Sequence, residues 1–177
     1  FVDRISGYIK FETLSTKTAL EVTNAFKRFQ ARMERRTGKK IKSVLVDGGT
    51  EFDGDFVAHC EDSGIIKQRG APYRHHIPPQ AEKAHEVINT GAKPLLLASK
   101  LPRKYYSLAQ AFKTYLHNRT VHSGHSKTPY EYIYCDKPNI SNLHQFGCVC
   151  YAFIPTEKRG KLDPVREKCR LVGYGDD

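Results

Sequence analysis

Residues 44–52 read Val-Leu-Val-Asp-Gly-Gly-Thr-Glu-Phe. This stretch closes a short apolar and β-branched run, Ile41–Val46, which predicts a buried strand. Asp47 follows that run directly, and Gly48 and Gly49 predict a turn after it. A carboxylate at the end of a strand can hold a metal ion or transfer a proton, because the strand fixes the side chain and the turn leaves it open. An ordinary turn aspartate fits the same local pattern.

Predicted helices and strands alternate on both sides of this strand. Apolar residues at positions 19, 22, 26, 29 and 33 recur at three- and four-residue steps, which indicates one helical face. Ser15 and Thr16 are suitable caps for the start of that helix, and Gly38 marks its end. The other predicted elements of this half are strands over residues 1–3 and 8–14, a short helix from about Asp53 to Gly64, and a small strand at Ile65 and Ile66.

The second half of the chain is predicted to be mainly helical before it ends in a small β unit. Glycine and proline residues predict a loop over residues 69–79. A helix from Gln80 to about Ala92 follows, and Pro94 is expected to break or kink it because proline lacks the amide hydrogen. The later predicted elements are a helix over residues 103–118 and two strand-like runs, 148–154 and 169–172, joined by a basic link.

The chain is strongly basic. Among its 177 residues, 29 are Lys or Arg and 19 are Asp or Glu, which gives a formal net charge of +10. The basic residues crowd two segments, 28–42 and 158–170. Two such clusters favour a polyanionic partner, with nucleic acid ahead of an anionic membrane, although solvated faces fit them as well. The longest aliphatic run, Leu95–Ala98, is too short for a bilayer span, so no membrane partner is expected.

The cysteines and the first residues indicate the cellular setting. Five cysteines, an odd number, occur without C-x-x-C spacing, which argues against a disulfide framework and against a zinc finger. We therefore expect reduced thiols in an intracellular protein. The sequence opens at Phe1 inside an apolar stretch with no charged region before it, so we expect a fragment of a longer chain rather than a secreted protein.

Glu82 is the second candidate site residue. It lies near the start of a predicted helix, after a loop rich in histidine and proline. A glutamate in the first helical turn is usually an electrostatic cap. Spacing alone therefore does not join Glu82 to Asp47 in one site.

An ordered set of short motifs resembles the integrases of copia-type LTR retrotransposons. Val44–Phe52 resembles the "D-N-G-G-E-Y/F" strand and turn of that family, and Ala71-Pro72-Tyr73 resembles the "A-P-Y" before its catalytic helix. The further matches are Tyr115–Arg119 with "Y-L-x-N-R", Lys127–Glu131 with "K-T-P-Y-E", Lys137–Leu143 with "K-P-x-x-S-x-L", Phe146-Gly147-Cys148 with "F-G-C", and the tail that closes on Val172-Gly173-Tyr174. The matches run nearly end to end in the right order, which makes the set specific.

The resemblance implies an α/β fold: an RNase H-like core with a mixed central sheet flanked by helices, and a small C-terminal SH3-like β unit. It implies two domains, 1–136 for the core and 137–177 for the β unit. It also implies DNA integration by metal-dependent polynucleotidyl transfer, with an Asp, Asp, Glu triad holding two Mg²⁺ or Mn²⁺ ions. Asp47 matches the second aspartate of the triad and Glu82 its glutamate. Four residues are then expected at the nucleic acid: Lys83, Arg74, Asn118 and Arg119.

Three departures from the family pattern bear on activity. The first catalytic aspartate of the family is expected on a strand before Phe1, so the core is expected to be truncated at its first strand and inactive as this fragment. The interval from Asp47 to Glu82 is one residue shorter than the family spacing. The segment from His75 to Val87 is also degenerate, since Pro79 replaces a family glycine and Glu86 a family arginine.

A second function therefore stays open beside integration: a degenerate or repurposed module that binds nucleic acid without catalysis. By resemblance, the expected partners are the DNA ends of the element, target DNA and further copies of the chain, and the expected location is the nucleus.

Overall fold

Helices and strands alternate along the chain in the computed structural model, which describes residues 1–69 and 79–175. The helices are α1 (Ala19–Thr37), α2 (Asp55–Asp62), α3 (Pro79–Ser99), α4 (Tyr106–Asn118) and α5 (Pro129–Tyr134). The strands are β1 (Ser43–Val46), β2 (Ile66–Arg69), β3 (Val149–Phe153) and β4 (Arg166–Arg170). The described residues form two units: a first unit of residues 1–69, 79–87 and 117–138, and a second unit of 88–116 and 139–175. The boundary predicted after residue 136 stays a prediction.

Helix α1 forms as its apolar stripe predicts but begins later than expected. The carboxylate of Glu21 accepts hydrogen bonds from the backbone N–H groups of Ser15 and Thr16, each at 2.7 Å. These two residues therefore belong to the loop before the helix, and Thr18 is the N-cap. The helix ends as predicted at Gly38, whose φ of 67° lies in the left-handed region that glycine adopts without strain.

The first unit is built around a parallel pair of strands. β1 and β2 pair in register from Ser43 opposite Ile66 to Val46 opposite Arg69. β2 extends beyond the predicted Ile65-Ile66 because pairing with β1 recruits polar residues that have little strand preference of their own. Helix α1 packs over α2 and closes the core of this unit, whose buried members are Phe26, Val46, Phe56, Cys60 and Ile65.

The two strands predicted at the N-terminus are wrong as extended elements. They reduce to one antiparallel bridge between Val2 and Ile9, flanked by the bonds from Asp3 N–H to Tyr8 O and from Lys10 N–H to Phe1 O. The outward N–H and C=O groups of Ile9 bond to a side chain, that of Asn118. The ladder does not continue past Ile9, because the Asn118 side chain satisfies the next backbone groups.

Pro94 does not end helix α3, which corrects the prediction of a helix ending near Ala92. The helix continues to Ser99, and Pro94 is exposed within it. Ala92 and Leu96 lie on either side of the proline in sequence and are both buried in the core of the second unit. Burial of this apolar face outweighs the single helical hydrogen bond that proline removes.

The second unit joins helices α3 and α4 to a β hairpin. Its core is formed by buried side chains from both helices and from the chain entering β3: Ala92, Leu96, Ala109, Phe112 and Phe146. Tyr174 closes the core from the C-terminal side, since its ring stacks on Tyr115 at 4.6 Å between centroids. β3 and β4 pair antiparallel, from Val149 opposite Arg170 to Phe153 opposite Arg166. β4 ends before the predicted residue 172 and starts earlier than predicted.

Helix α5 was not predicted, although a capping box marks its start. The Thr128 hydroxyl accepts from Glu131 N–H at 3.1 Å, and the Glu131 carboxylate accepts from Thr128 N–H at 2.8 Å. The bonds that the Glu131 carboxylate accepts from Thr128 N–H and from the Thr128 hydroxyl hold the pKa of Glu131 below its ordinary value. The ionised form is therefore favoured in the folded chain, and the stabilisation from this bond is lost as the pH falls through the lowered pKa.

Replacing Thr128 with alanine is expected to destabilise the first unit by about 0.5–2 kcal/mol, because an N-cap hydrogen bond is lost. Chemical denaturation followed by circular dichroism measures the change. The matched control is Thr156→Ala, since Thr156 is exposed and its side chain caps no helix. An unchanged denaturation midpoint in Thr128→Ala would contradict the assignment of the cap.

Candidate metal centre and nucleic-acid interface

Asp47 lies where the sequence predicts it, one residue beyond the end of β1. Its side chain is half-buried, and its Oδ1 accepts a hydrogen bond from the backbone N–H of Gly49 at 3.1 Å. This contact fixes the direction of the carboxylate at the tip of the strand and explains the aspartate as a turn residue. The structure therefore shows the turn role, and the metal-binding role stays a prediction.

A second carboxylate, that of Glu51, lies at the same turn. A Cβ added to Gly49 would lie 2.7 Å from the Glu51 Cδ, so the glycine makes room for this side chain. Sequence reasoning used the glutamate as part of a motif but did not assign it a position. The signal that could have found it is the pair of glycines two and three residues before it, because a residue without a side chain allows such a close approach.

Glu82 is an exposed residue in the first turn of α3. Both Glu82 and Asp47 belong to the first unit. Within residues 1–69 and 79–175, no three His, Cys, Asp or Glu side chains are grouped so that they could hold a metal ion. The shared site of Asp47 and Glu82 thus stays a prediction.

Ion pairs organise the neighbourhood of β2. The Asp53 carboxylate pairs with Lys67 at 3.2 Å and also with Arg69. Arg69 is opposite Val46 in the strand register and thus lies beside the end of β1. The loop after the β1 turn is therefore tied to β2 by charge as well as by packing, which steadies the tip that carries Asp47.

The four residues predicted to bind nucleic acid differ in how far the structure places them at an exposed surface. Lys83 is exposed and follows Glu82 on α3, as a phosphate contact requires. Arg74 lies outside the described residues. Asn118 is buried, with 4% of its surface exposed, and both ends of its amide bond to Ile9. This placement argues against a nucleic-acid contact for Asn118 and assigns it a structural role.

Arg119 is half-buried against an aromatic ring. Its guanidinium carbon lies 5.0 Å from the centre of the Tyr130 ring, which is the geometry of a cation–π contact. This contact joins the end of α4 to α5 within the first unit. A role for Arg119 at nucleic acid stays a prediction.

The basic segment of residues 28–42, which includes the basic face of α1, is solvent-exposed but partly engaged within the chain. Arg28 pairs with Glu12 at 3.3 Å, and Lys40 pairs with Glu34 at 2.7 Å. Arg36 lies over the ring of Tyr134 at 5.2 Å. Exposed pairs of this kind contribute little to stability, so the same cations can exchange partners for phosphate at small cost.

Comparison with known proteins shows which proteins the chain is similar to. Over 179 aligned residues, which cover all of the chain, it is 31% identical to the retrovirus-related Pol polyprotein from transposon TNT 1-94 of Nicotiana tabacum. The chain is a homologue of retrovirus-related Pol polyproteins from plant transposons. This Pol homologue is also 28% identical, over 98% of its length, to the Pol polyprotein from transposon RE1 of Arabidopsis thaliana. It spans 13% and 12% of the lengths of these two relatives.

Solved structures confirm the predicted fold of the Pol homologue. The catalytic core domain of BIV integrase matches with a TM-score of 0.57 and 20% identity, over 75% of this chain and 81% of that one. The HTLV-2 integrase catalytic core domain in complex with magnesium, in a trimeric form, matches with a TM-score of 0.59 and 20% identity, over 75% and 80%. The simian T-cell lymphotropic virus intasome in complex with a PP2A regulatory subunit, B56 gamma, matches with a TM-score of 0.62 and 15% identity, over 93% and 58%.

The C-terminal part of the Pol homologue matches a family model of its own. Residues 148–177 match the retroviral polymerase SH3-like domain. The predicted α/β integrase-type core and the predicted SH3-like β unit are therefore both confirmed. Among the helices that the structure describes, none is long and apolar enough to cross a membrane.

Proposed function

We propose that this chain forms part of the DNA-integrating core of a retrotransposon Pol polyprotein, which joins DNA ends by metal-dependent polynucleotidyl transfer. The observation that carries the proposal is the position of Asp47 at the tip of β1, held by Gly49 N–H in a chain homologous to such polyproteins over its whole length. The magnesium named in the HTLV-2 integrase structure supports a divalent cation for the fold.

The donor set at this position suits a hard divalent cation. Asp47 and Glu82 offer carboxylate oxygens, which Mg²⁺ prefers over thiolate or imidazole. A third carboxylate, before Phe1, is expected from the family resemblance. When bound between such carboxylates, a pair of divalent ions supplies charge stabilisation for in-line displacement at phosphorus.

The protein's own residues position the reactants in this proposal. The bond from Gly49 N–H holds one Asp47 oxygen, so the carboxylate keeps its direction at the end of β1. Glu82 lies in the first turn of α3, where the helix N-terminus favours negative charge. Exposed Lys83 beside it is placed to bind a DNA phosphate.

The wider partners follow from the same reasoning. A net charge of +10 and the exposed basic face of α1 support DNA as the partner. The trimeric HTLV-2 form and the viral intasome support assembly with further copies on DNA. The nuclear location expected from the resemblance belongs to this proposal.

A strand-transfer assay tests the proposal, with the chain extended at its N-terminus by the preceding residues of its polyprotein. With Mg²⁺ or Mn²⁺, we expect joined DNA products. Asp47→Asn and Glu82→Gln are each expected to lower the rate more than about a hundredfold, because a metal ligand is lost. The control on the same helix is Glu86→Gln, at an exposed residue one turn after Glu82 with no metal role in the proposal. It is expected to keep or raise the rate, because it loses no metal ligand and removes a negative charge that repels phosphate.

The second candidate function, nucleic-acid binding without catalysis, is favoured by one observation. Glu86 stands where the family has arginine, and a negative charge there weakens contact with phosphate. If the extended parent binds DNA in a salt-dependent way but yields no joined product with either metal, this second function replaces the first. Equal activity in the parent and in Asp47→Asn would contradict the metal site itself.

A further inference from the structure

One face of the β3–β4 hairpin is both aromatic and exposed. Val149, Tyr151 and Phe153 alternate along β3, so their side chains share one face of the strand. Their exposed fractions are 45%, 63% and 63%. Large aromatic side chains are seldom left this exposed in a cluster, and such a patch marks a binding surface.

Positive charges share this face. In the antiparallel register, Val149 is opposite Arg170, Tyr151 is opposite Lys168, and Phe153 is opposite Arg166. Directly opposite residues in an antiparallel pair extend to the same side of the sheet. The hairpin face therefore carries a row of three apolar side chains beside a row of three cations.

The hydrogen-bond pattern brings these rows close together. Ile154 N–H donates to Val165 O at 3.0 Å, so the pair just beyond the strand ends is hydrogen-bonded. Since hydrogen-bonded and non-hydrogen-bonded pairs alternate, the Phe153–Arg166 and Tyr151–Lys168 pairs are of the non-hydrogen-bonded kind, in which side chains lie closest. Arg170 also donates from Nη1 to Gly147 O at 2.8 Å, so Lys168 and Arg166 are the more available cations.

The opposite face of the hairpin has another character. Cys150 and Cys169 are opposite each other and half-buried, followed by the pair Ala152 and Glu167. Neither an aromatic ring nor a cation lies on that face. Because side chains alternate between the two faces of a strand, the aromatic and basic residues of the hairpin all lie on one face.

We propose that this face of the hairpin binds single-stranded nucleic acid, with bases stacked on Tyr151 and Phe153 and phosphates paired with Lys168 and Arg166. The ligand must be anionic and must offer flat faces, and unpaired bases on a phosphate backbone meet both conditions. Duplex DNA hides the faces of its bases. An apolar protein surface would bury the cations without partners, which is costly.

The spacing along β3 suits this ligand. Residues two apart on a strand are separated by about 6.8 Å, which is twice the rise of about 3.4 Å per stacked base. A gap of this size accepts one unpaired base between the two rings, so bases and rings can alternate in one stack. This binding goes beyond the proposed integration function and does not depend on Asp47 or on a metal ion.

Fluorescence anisotropy of the 177-residue chain with a labelled oligo-dT of about 12 nucleotides tests the proposal. We expect oligo-dT to bind at least about tenfold more tightly than an abasic oligomer of the same length, and more tightly than a duplex of that length. Tyr151→Ala and Phe153→Ala are each expected to weaken oligo-dT binding about tenfold, whereas Tyr151→Phe keeps it. Tyr151→Leu preserves an apolar side chain on the strand and is expected to weaken binding as alanine does.

Charge variants and controls separate the contribution of base stacking from that of the ion pairs with phosphate. Lys168→Gln and Arg166→Gln are each expected to lower the slope of log affinity against log salt by about 0.7, while Tyr151→Ala leaves that slope unchanged. Leu162→Ala, at a side chain 98% exposed in the same unit, is the matched apolar control and is expected to have no effect. Asp47→Asn is likewise expected to bind oligo-dT as the parent does, so failure of the metal site is distinguished from failure of this surface.

Several results would overturn the proposal. They are equal affinity for oligo-dT and the abasic oligomer, tighter binding of duplex, and unchanged binding in both Tyr151→Ala and Tyr151→Leu. A change of oligomeric state in Tyr151→Ala with unchanged oligo-dT binding would instead assign the face to a contact between copies.

Discussion

Replacing Asn118 with alanine is expected to lower the free energy of unfolding by about 2–6 kcal/mol. The Asn118 Oδ1 accepts from Ile9 N–H at 2.9 Å, and its Nδ2 donates to Ile9 O at 2.7 Å. Asn118 is 4% exposed and Ile9 is 3% exposed. Alanine would leave a buried donor and a buried acceptor without partners, and each such group costs about 1–3 kcal/mol.

Urea denaturation followed by circular dichroism measures this loss. Asn142→Ala is the matched control, because Asn142 is exposed, and its effect is expected within about 0.5 kcal/mol. The same variants separate the structural role from the family-based expectation of DNA contact. A variant Asn118→Ala that unfolds like the parent but binds DNA more weakly would contradict the structural role.

The second large effect is expected from Gly147→Ala in the second unit. Gly147 has a φ of 77°, where an L side chain is strained by about 1–2 kcal/mol. A Cβ there would also lie 3.2 Å from the Ser99 Cα and still closer to the Ser99 Cβ, and overpacking of this kind costs about 1–3 kcal/mol. We expect a total loss of about 2–5 kcal/mol, because the two contributions are independent.

Two other glycines separate these contributions. Gly124 has a φ of 83° with nothing within 4 Å of an added Cβ, so Gly124→Ala reports the backbone strain alone. Gly48 has open space and no positive φ, so Gly48→Ala is the neutral control. If Gly147→Ala costs no more than Gly124→Ala in thermal or chemical denaturation, the close approach to Ser99 is wrong.

Local patterns predicted the parts of the fold that local forces determine. Gly38 ends α1 because the left-handed conformation is a property of that residue alone. The apolar stripe of α1 likewise follows from a short stretch of sequence. A strand does form before Asp47, but it covers Ser43–Val46 rather than residues 41–46, and only Val46 of it is buried.

The misses at Pro94 and after Tyr8 depend on partners distant in the chain, whereas the missed helix α5 carries a local signal, the capping box of Thr128 and Glu131. Pro94 remains inside α3 because burial of Ala92 and Leu96 outweighs a local preference. The strand expected after Tyr8 does not form because a side chain 109 residues away bonds to Ile9. The residue pattern of a single sequence does not reveal either of these long-range contacts.

The candidate site also has features that the sequence predicts and features that depend on the folded structure. The position of Asp47 at a strand tip was predictable, since a strand run and two glycines surround it. The burial of Asn118 was not, because the motif around it records residue types and not which of them point inward. The aromatic and basic face of the hairpin also needed the register of β3 against β4, which the sequence does not contain.

The amide of Asn118 has a further consequence at the edge of the Val2–Ile9 bridge. A primary amide presents the same donor and acceptor as a peptide unit, so it acts there as a one-residue substitute for a neighbouring strand. A foreign chain seeking to add itself at Ile9 would first have to displace it. The Asn118 side chain thus blocks edge-to-edge strand pairing between copies at Ile9, to which exposed extended segments are otherwise prone.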